Sequence, residues 1–176
     1  MIFRETELAG AFVVEIEPIE DERGWFARIY DESEFAERGL ASRFVQGSVA
    51  FNSERGTLRG MHYQDGAHAE AKLVRCSRGA LHDVIVDLRP SSATFKRWVA
   101  VELSAANGRM LYVPEGLAHG YLTLEDETEA LYLISTPYAP DAARGVRWND
   151  PAFGIAWPDD PRVVSEKDKA WPDFSG

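Results

Sequence analysis

Short runs of Val, Leu, Ile and aromatic residues recur along this chain, broken by turn residues about every ten positions. They are AFVVEIEP (Ala11–Pro18), FVQGSVAFN, TLRGMHYQ, AKLVRC, ALHDVIVDL, TFKRWVAVEL, RMLYVP, GYLTL and EALYLIST. The breaks fall at Asp21–Gly24, Ser53–Gly56, Ser77–Gly79, Arg89–Ser92, Asn107–Gly108 and Pro114–Gly116. Many short strands joined this tightly predict an antiparallel sandwich or barrel rather than βαβ units. In WFARIYD, apolar residues point to both sides. One segment, DESEFAERG, reads as a short helix, with Asp31 or Ser33 as N-cap and Gly39 at its C-terminal end. After Pro137 the chain turns rich in Pro, Asp, Trp and Gly, which predicts irregular structure with a short helix near Ser165–Ala170. The expectation is one all-β domain over residues 1–176.

Composition narrows the function. Hydrophobic residues make up 45% and charged residues 27% of the 176, ordinary for a globular protein. A net charge of −10 argues against non-specific binding to nucleic acid or anionic membrane, although a few converging cations can still hold an anionic ligand. The single cysteine, Cys76, permits no internal disulfide and suits a reducing compartment. The N-terminal residues carry no signal-peptide-like apolar core, and no apolar run nears the ~20 residues that span a bilayer. The chain reads as soluble and cytoplasmic.

The stretch Gly56–Cys76 concentrates the chemistry: His62 and Lys72, with Arg59 and Arg75 beside them. A base, a cation and anion-binding side chains are the parts needed to remove a proton next to a carbonyl on a phosphorylated substrate. Strand alternation puts His62 in phase with Leu58, Gly60 and Gln64, and Lys72 with Val74 and Cys76. Tyr132 is in phase with Ala130 and Ile134, so the three side chains can line one cavity. Arg59 is out of phase with His62; it points elsewhere unless a bulge near Gly60 shifts the alternation.

The strings TLRGMHYQ, AKLVRC, DVIVDLRPSSATF, LYVPEGLAHGY, WNDPAFGIAWP and SEKD closely resemble the dTDP-4-dehydrorhamnose 3,5-epimerases, a cupin (jelly-roll) family. The resemblance runs over nearly the whole chain. It implies an antiparallel jelly-roll barrel and a metal-independent, usually homodimeric enzyme without cofactor. Such an enzyme inverts C3 and C5 of a nucleotide-linked 4-keto-6-deoxyhexose. By the same resemblance His62 is the general base and Asp168 the carboxylate that orients it. Lys72 stabilises the C4 enolate, His119 is a second donor to that oxygen or to the sugar, and Tyr132 returns a proton on the opposite face. Arg23 and Arg59 match the arginines that grip the diphosphate. Gln46, Phe26 and Tyr138 match positions around nucleotide and sugar.

Four positions depart from the family's usual pattern: Arg28 in place of a glutamate, Pro137–Tyr138 in place of paired tyrosines, Ala143 in place of an acid, and Gly47–Ser48 after Gln46 in place of Asp-Asn. All four fall where nucleotide or sugar is expected, so the nucleotide, and inversion at one carbon or both, stay open. Two other readings compete. A metal-dependent cupin would need His62, His82 and His119 to converge, although the HxH pair of such cupins is absent. A non-catalytic sugar-nucleotide-binding cupin would have no use for the retained His62, Lys72, Tyr132 and Asp168. His82 is expected in the core and His68 in solvent. Arg75, Arg97 and Arg109 read as structural or surface residues, and Cys76 as a small buried hydrophobe.

Overall fold

A computed structural model describes residues 1–175. The strands are β1 (Ile2–Glu5), β2 (Phe12–Glu15), β3 (Ile19–Asp21), β4 (Gly24–Phe26), β5 (Gln46–Asn52), β6 (Thr57–Gln64) and β7 (Lys72–Arg78). They continue with β8 (Ala80–Asp87), β9 (Trp98–Ser104), β10 (Met110–Val113), β11 (Leu117–Thr123), β12 (Thr128–Ile134), β13 (Ala143–Gly145) and β14 (Val163–Val164). Two short helices, α1 (Glu32–Ala36) and α2 (Glu166–Lys169), complete the set. One sheet runs β1-β2-β10-β7-β12-β5 and the other β13-β6-β11-β8-β9, with β14 added beside β6. Within these sheets the ladders are antiparallel except for the β14–β6 pair. This is the antiparallel sandwich expected from the strand spacing, with the jelly-roll order that the resemblance implies.

The inner faces of the two sheets meet in one core. Val74 and Cys76 of β7, Leu111 and Val113 of β10 and Ala130 of β12 pack against Leu81 and Ile85 of β8, Leu103 of β9 and Leu117 and Tyr121 of β11. Burying each such aliphatic side chain is worth about 1.5–3 kcal/mol, the main term opposing chain entropy. Both outer faces are covered as well. Phe35 of α1 enters a T-shaped aromatic cluster with Phe3, Tyr30, Phe44 and Tyr112, over Leu73 and Met110. Asp31 caps α1, accepting from the Ser33 and Glu34 amides, and Gly39 follows at φ +70°. On the other sheet the C-terminal segment lays Val146 and Phe153 over Met61, Val84, Val86 and Ala118. His82 belongs to this outer side, edge-on to Trp157, and so turns away from His62 and His119.

The structure differs from the expected strands in four places. β1 pairs with β2 at the edge of its sheet, a strand the turn pattern does not mark. In WFARIYD only Trp25 and Phe26 stay extended, and β4 pairs with β3 as a separate hairpin. TFKR is a turn, with Lys96 at φ +65° donating its amide to the Asp87 carbonyl, so β9 begins at Trp98. β11 starts at Leu117, ahead of GYLTL, which carries His119 into a strand.

Arg59 is settled by a bulge. Against β11, His62 pairs with His119 but Arg59 pairs with Tyr121, so three steps along β6 match two along β11. The extra residue shifts the phase, and both Arg59 and His62 face one cavity. Gly60 makes this possible: its φ is +127°, and a Cβ there would sit 2.6 Å from the Gly120 Cα and 2.8 Å from the His119 oxygen. Gly60→Ala is therefore expected to cost about 2–5 kcal/mol from backbone strain plus overpacking. Urea denaturation measures this, and a midpoint equal to wild type would show that the bulge does not require glycine.

Candidate active site

A cavity of about 590 Å³ opens between the two sheets. This is the size of a small-molecule site. His62 on β6 and Tyr132 on β12 come from opposite sheets and line it together with Lys72, His119 and Asp168.

The C-terminal segment carries Asp168 to the site. β14 lies parallel to β6, Val163 opposite Thr57 and Val164 opposite Leu58. Ser165 then caps α2, its hydroxyl accepting from the Asp168 amide at 3.1 Å. That places an Asp168 oxygen 2.5 Å from His62 Nε2, while the Gly60 amide donates to the other oxygen at 3.3 Å. Burial works to raise the Asp168 carboxyl. The hydrogen bond and charge of His62, helped by the Gly60 amide and the Ser165 hydroxyl, prevail and hold it below the ordinary carboxylate value. A carboxylate only accepts, so His62 Nε2 carries the hydrogen and Nδ1 keeps the lone pair of a base.

Lys72 is buried, its Nζ donating to the His62 carbonyl at 3.3 Å and lying 3.0 Å from a Glu70 carboxylate oxygen. His119 pairs through Nε2 with Asp83 at 2.7 Å, both buried. Tyr132 stands edge-on to the His119 ring at 6.0 Å. Burial pushes its phenol well above the ordinary value; the neighbouring Tyr121 and Asp83 add to this, against a smaller opposite pull from Arg59. It therefore stays protonated at neutral pH, as a proton donor must. Arg59 lines the cavity and is held by Asn52 Oδ1, which accepts from Nε at 2.8 Å. Gln46 and Tyr138 lie together at the same cavity, Gln46 Oε1 accepting from the Tyr138 amide at 2.8 Å.

The model of the family described as dTDP-4-dehydrorhamnose 3,5-epimerase matches residues 5–176. The dTDP-4-dehydrorhamnose 3,5-epimerase of Methanothermobacter thermautotrophicus is 44% identical over 172 residues, covering 96% of this chain and 92% of that protein. The crystal structure of the Elizabethkingia anophelis enzyme of the same name superposes with a TM-score of 0.96 at 40% identity, covering 99% of this chain and 96% of that one. The Bacillus anthracis enzyme of that name, solved with TDP and PPi bound, gives 0.94 at 39% identity, covering 98% of this chain and 99% of that one. This chain belongs to the dTDP-4-dehydrorhamnose 3,5-epimerase family.

Two site residues read from the resemblance are not brought to the cavity of this epimerase-family chain. Arg23 and Phe26 sit on the β3–β4 hairpin, the Arg23 side chain 85% exposed and paired with Asp21, and Phe26 67% exposed. Of the departures, Ser48 and Ala143 line the cavity, whereas Arg28 pairs with Asp31 on the surface. Four lining or supporting residues were not legible as such. Asp83 and Glu70 are carboxylates paired with His119 and Lys72, and Arg144 and Lys167 add cations to the wall. For Asp83 a signal existed: it is an acid in the inward phase of β8, between Leu81 and Ile85. For Lys167 the neighbouring Asp168 was the only cue.

In this family member Asp168→Asn keeps the shape but loses the charge held against His62. Activity is expected to fall about 10²–10⁴-fold. The Asp168 contribution to stability, about 1–3 kcal/mol, is present above the unfolded carboxyl's 3.8 and lost as pH falls through the lower folded value. Urea midpoints of wild type and variant should therefore differ at pH 5 and converge toward pH 2. A constant gap across that range would show that the carboxylate's ionisation is not linked to folding.

Proposed function

We propose that this chain is an isomerase that inverts C3 and/or C5 of a nucleotide-diphosphate 4-keto-6-deoxyhexose, of the dTDP-4-dehydro-6-deoxyglucose to dTDP-4-dehydrorhamnose type. One observation carries the reading: a carboxylate-oriented imidazole and a protonated phenol face one cavity from opposite sheets. Inversion by proton transfer needs a base on one face of the sugar and an acid on the other.

His62 Nδ1 takes the proton from the carbon next to the C4 carbonyl, and the electron pair of that C–H bond moves into the enolate. The Lys72 ammonium, with His119 as a second donor, stabilises the negative oxygen at C4, and fixed donors in a partly dry site do this far better than water. Tyr132 then gives its proton to the same carbon from the opposite face, and the carbonyl re-forms. Arg59 grips the diphosphate, while Gln46 and Tyr138 border the nucleotide. No metal has a part in these steps.

A homodimer accounts for Arg23 and Phe26. The hairpin leaves Ile19, Trp25 and Phe26 exposed, and the edge strand β5 leaves Val49 and Phe51 exposed. Apolar surface of this kind fits burial against a second copy, whose cavity the hairpin would border. Phe26→Asp is then expected to raise KM or shift the sedimentation of the protein toward monomer; a dimeric variant with unchanged KM would refute this use of the hairpin. The lone buried thiol of Cys76 fits a reducing cytoplasmic setting.

The direct test is solvent exchange. A nucleotide 4-keto-6-deoxyhexose incubated with the protein in D₂O should gain deuterium at C3, C5 or both, followed by NMR across thymidine, uridine, cytidine and guanosine carriers. Exchange at neither carbon with any carrier overturns the proposal. His62→Ala is expected to reduce exchange about 10²–10⁴-fold while nucleotide binding is retained; near wild-type turnover would remove His62 from the role of base.

A further inference from the structure

Glu70 is a carboxylate in the cavity wall that the steps above leave without a use. It stands two residues before Lys72, with Oε1 3.0 Å from the Lys72 Nζ and each side chain 10% exposed. The backbone around it is fixed to the segment after β12. The Thr136 hydroxyl donates to the Ala69 carbonyl at 2.8 Å. The Ala71 amide donates to the Ser135 hydroxyl at 2.8 Å, and its carbonyl accepts from the Ser135 amide at 3.0 Å. Among the described residues, no N–H or O–H donates to the second oxygen, Oε2.

A carboxylate in this place works against the rest of the site. Beside the ammonium it cancels much of the field that a negative oxygen at C4 feels, and it repels an incoming diphosphate. The chemistry of the sugar gives it a use. Of the two carbons next to C4, C5 carries the methyl group and the ring oxygen, whereas C3 carries a hydroxyl. The hydroxy ketone therefore presents an acceptor, O4, next to a donor, the C3 hydroxyl. Lys72 and Glu70 present the complement, a donor next to an acceptor. When the proton leaves C3, that carbon flattens, and the ring holds both oxygens on the same side of the new double bond, in one plane. The two-pronged grip is then best aligned in the enolate, where a hydrogen bond to a charged acceptor contributes most to rate.

We propose that Glu70 is a specificity-determining residue: it accepts from the C3 hydroxyl while Lys72 donates to O4, so the site selects 4-keto sugars hydroxylated at C3. This rests on the epimerase reading, and the experiment separates the two. The probe is a nucleotide 4-keto-3,6-dideoxyhexose, compared with its 3-hydroxy counterpart on the carrier that wild type exchanges fastest. The dideoxy sugar keeps protons at C3 and C5 next to the carbonyl, so exchange in D₂O gives kcat/KM for both sugars. The preference for the 3-hydroxy sugar is the readout. Any effect of the hydroxyl on the C–H bond itself is common to every variant and drops out when proteins are compared. Glu70→Ala should lower the preference about 10²-fold, through loss of a hydrogen bond to a charged group. Glu70→Gln, which keeps a neutral acceptor in the same shape, should lower it about tenfold. A residue that only holds Lys72 would affect both sugars alike. An unchanged preference in the folded variants therefore overturns the inference; no exchange of the 3-hydroxy sugar by wild type on any carrier overturns the epimerase reading instead. Should Glu70→Ala fail to fold, the nearly isosteric Glu70→Gln decides.

Discussion

At Gly60 the backbone of β6 lies so near β11 that a methyl group would overlap the Gly120 Cα at 2.6 Å. Much of the site depends on that approach. The extra residue it accommodates turns Arg59 to the same side as His62, so the guanidinium and the imidazole share a cavity. The Gly60 amide is also directed at Asp168, which ties the bulge to the C-terminal segment. A regular ladder here would keep His62 inward but send Arg59 to the opposite face.

The cavity is also a polar interior that had to be satisfied. Asp83, Asp168 and Lys72 are all buried, and an unpaired charge in such a place costs several kcal/mol. Each has a partner: Asp83 with His119, Asp168 with His62, Lys72 with Glu70 and the His62 carbonyl. These pairs are weak arguments for stability, since hydrophobic replacements would pack as well. They are strong arguments for orientation, because each fixes a tautomer or an ammonium in one place. The protein is acidic overall, yet Arg59, Lys72, Arg144 and Lys167 all line this one cavity. Local convergence of cations, rather than net charge, decides that an anionic substrate can enter.

Much of the fold was legible because strand period and turn chemistry are local. The runs TLRGMHYQ and EALYLIST became β6 and β12 almost as written, Asp31 capped α1 through its carboxylate, and Gly39 follows the helix in the left-handed conformation that glycine favours. The inward phase of Lys72 and Tyr132 followed from alternation alone. The β3–β4 hairpin and the start of β9 were less legible. Aromatic residues in WFARIYD and TFKR favour extended structure whether or not a partner strand is present, and local preference does not report partners.

The sequence by itself determined the alternation, the turns, and through its motifs the set of chemical groups: an imidazole, an ammonium, a phenol and a carboxylate. Only the tertiary structure decided which of them meet. His62 and Asp168 are 106 residues apart and touch because β14 docks along β6. Asp83 reaches His119, and Asn52 reaches Tyr121, across strands that no local pattern pairs. Arg59 joined the cavity through a bulge, and Arg23 and Phe26 did not reach it within their own chain. The physical reason is common to all of these. Side-chain direction within a strand is a local property with a period of two, whereas contact between strands depends on register and on sheet packing, which arise only when the whole chain buries its core.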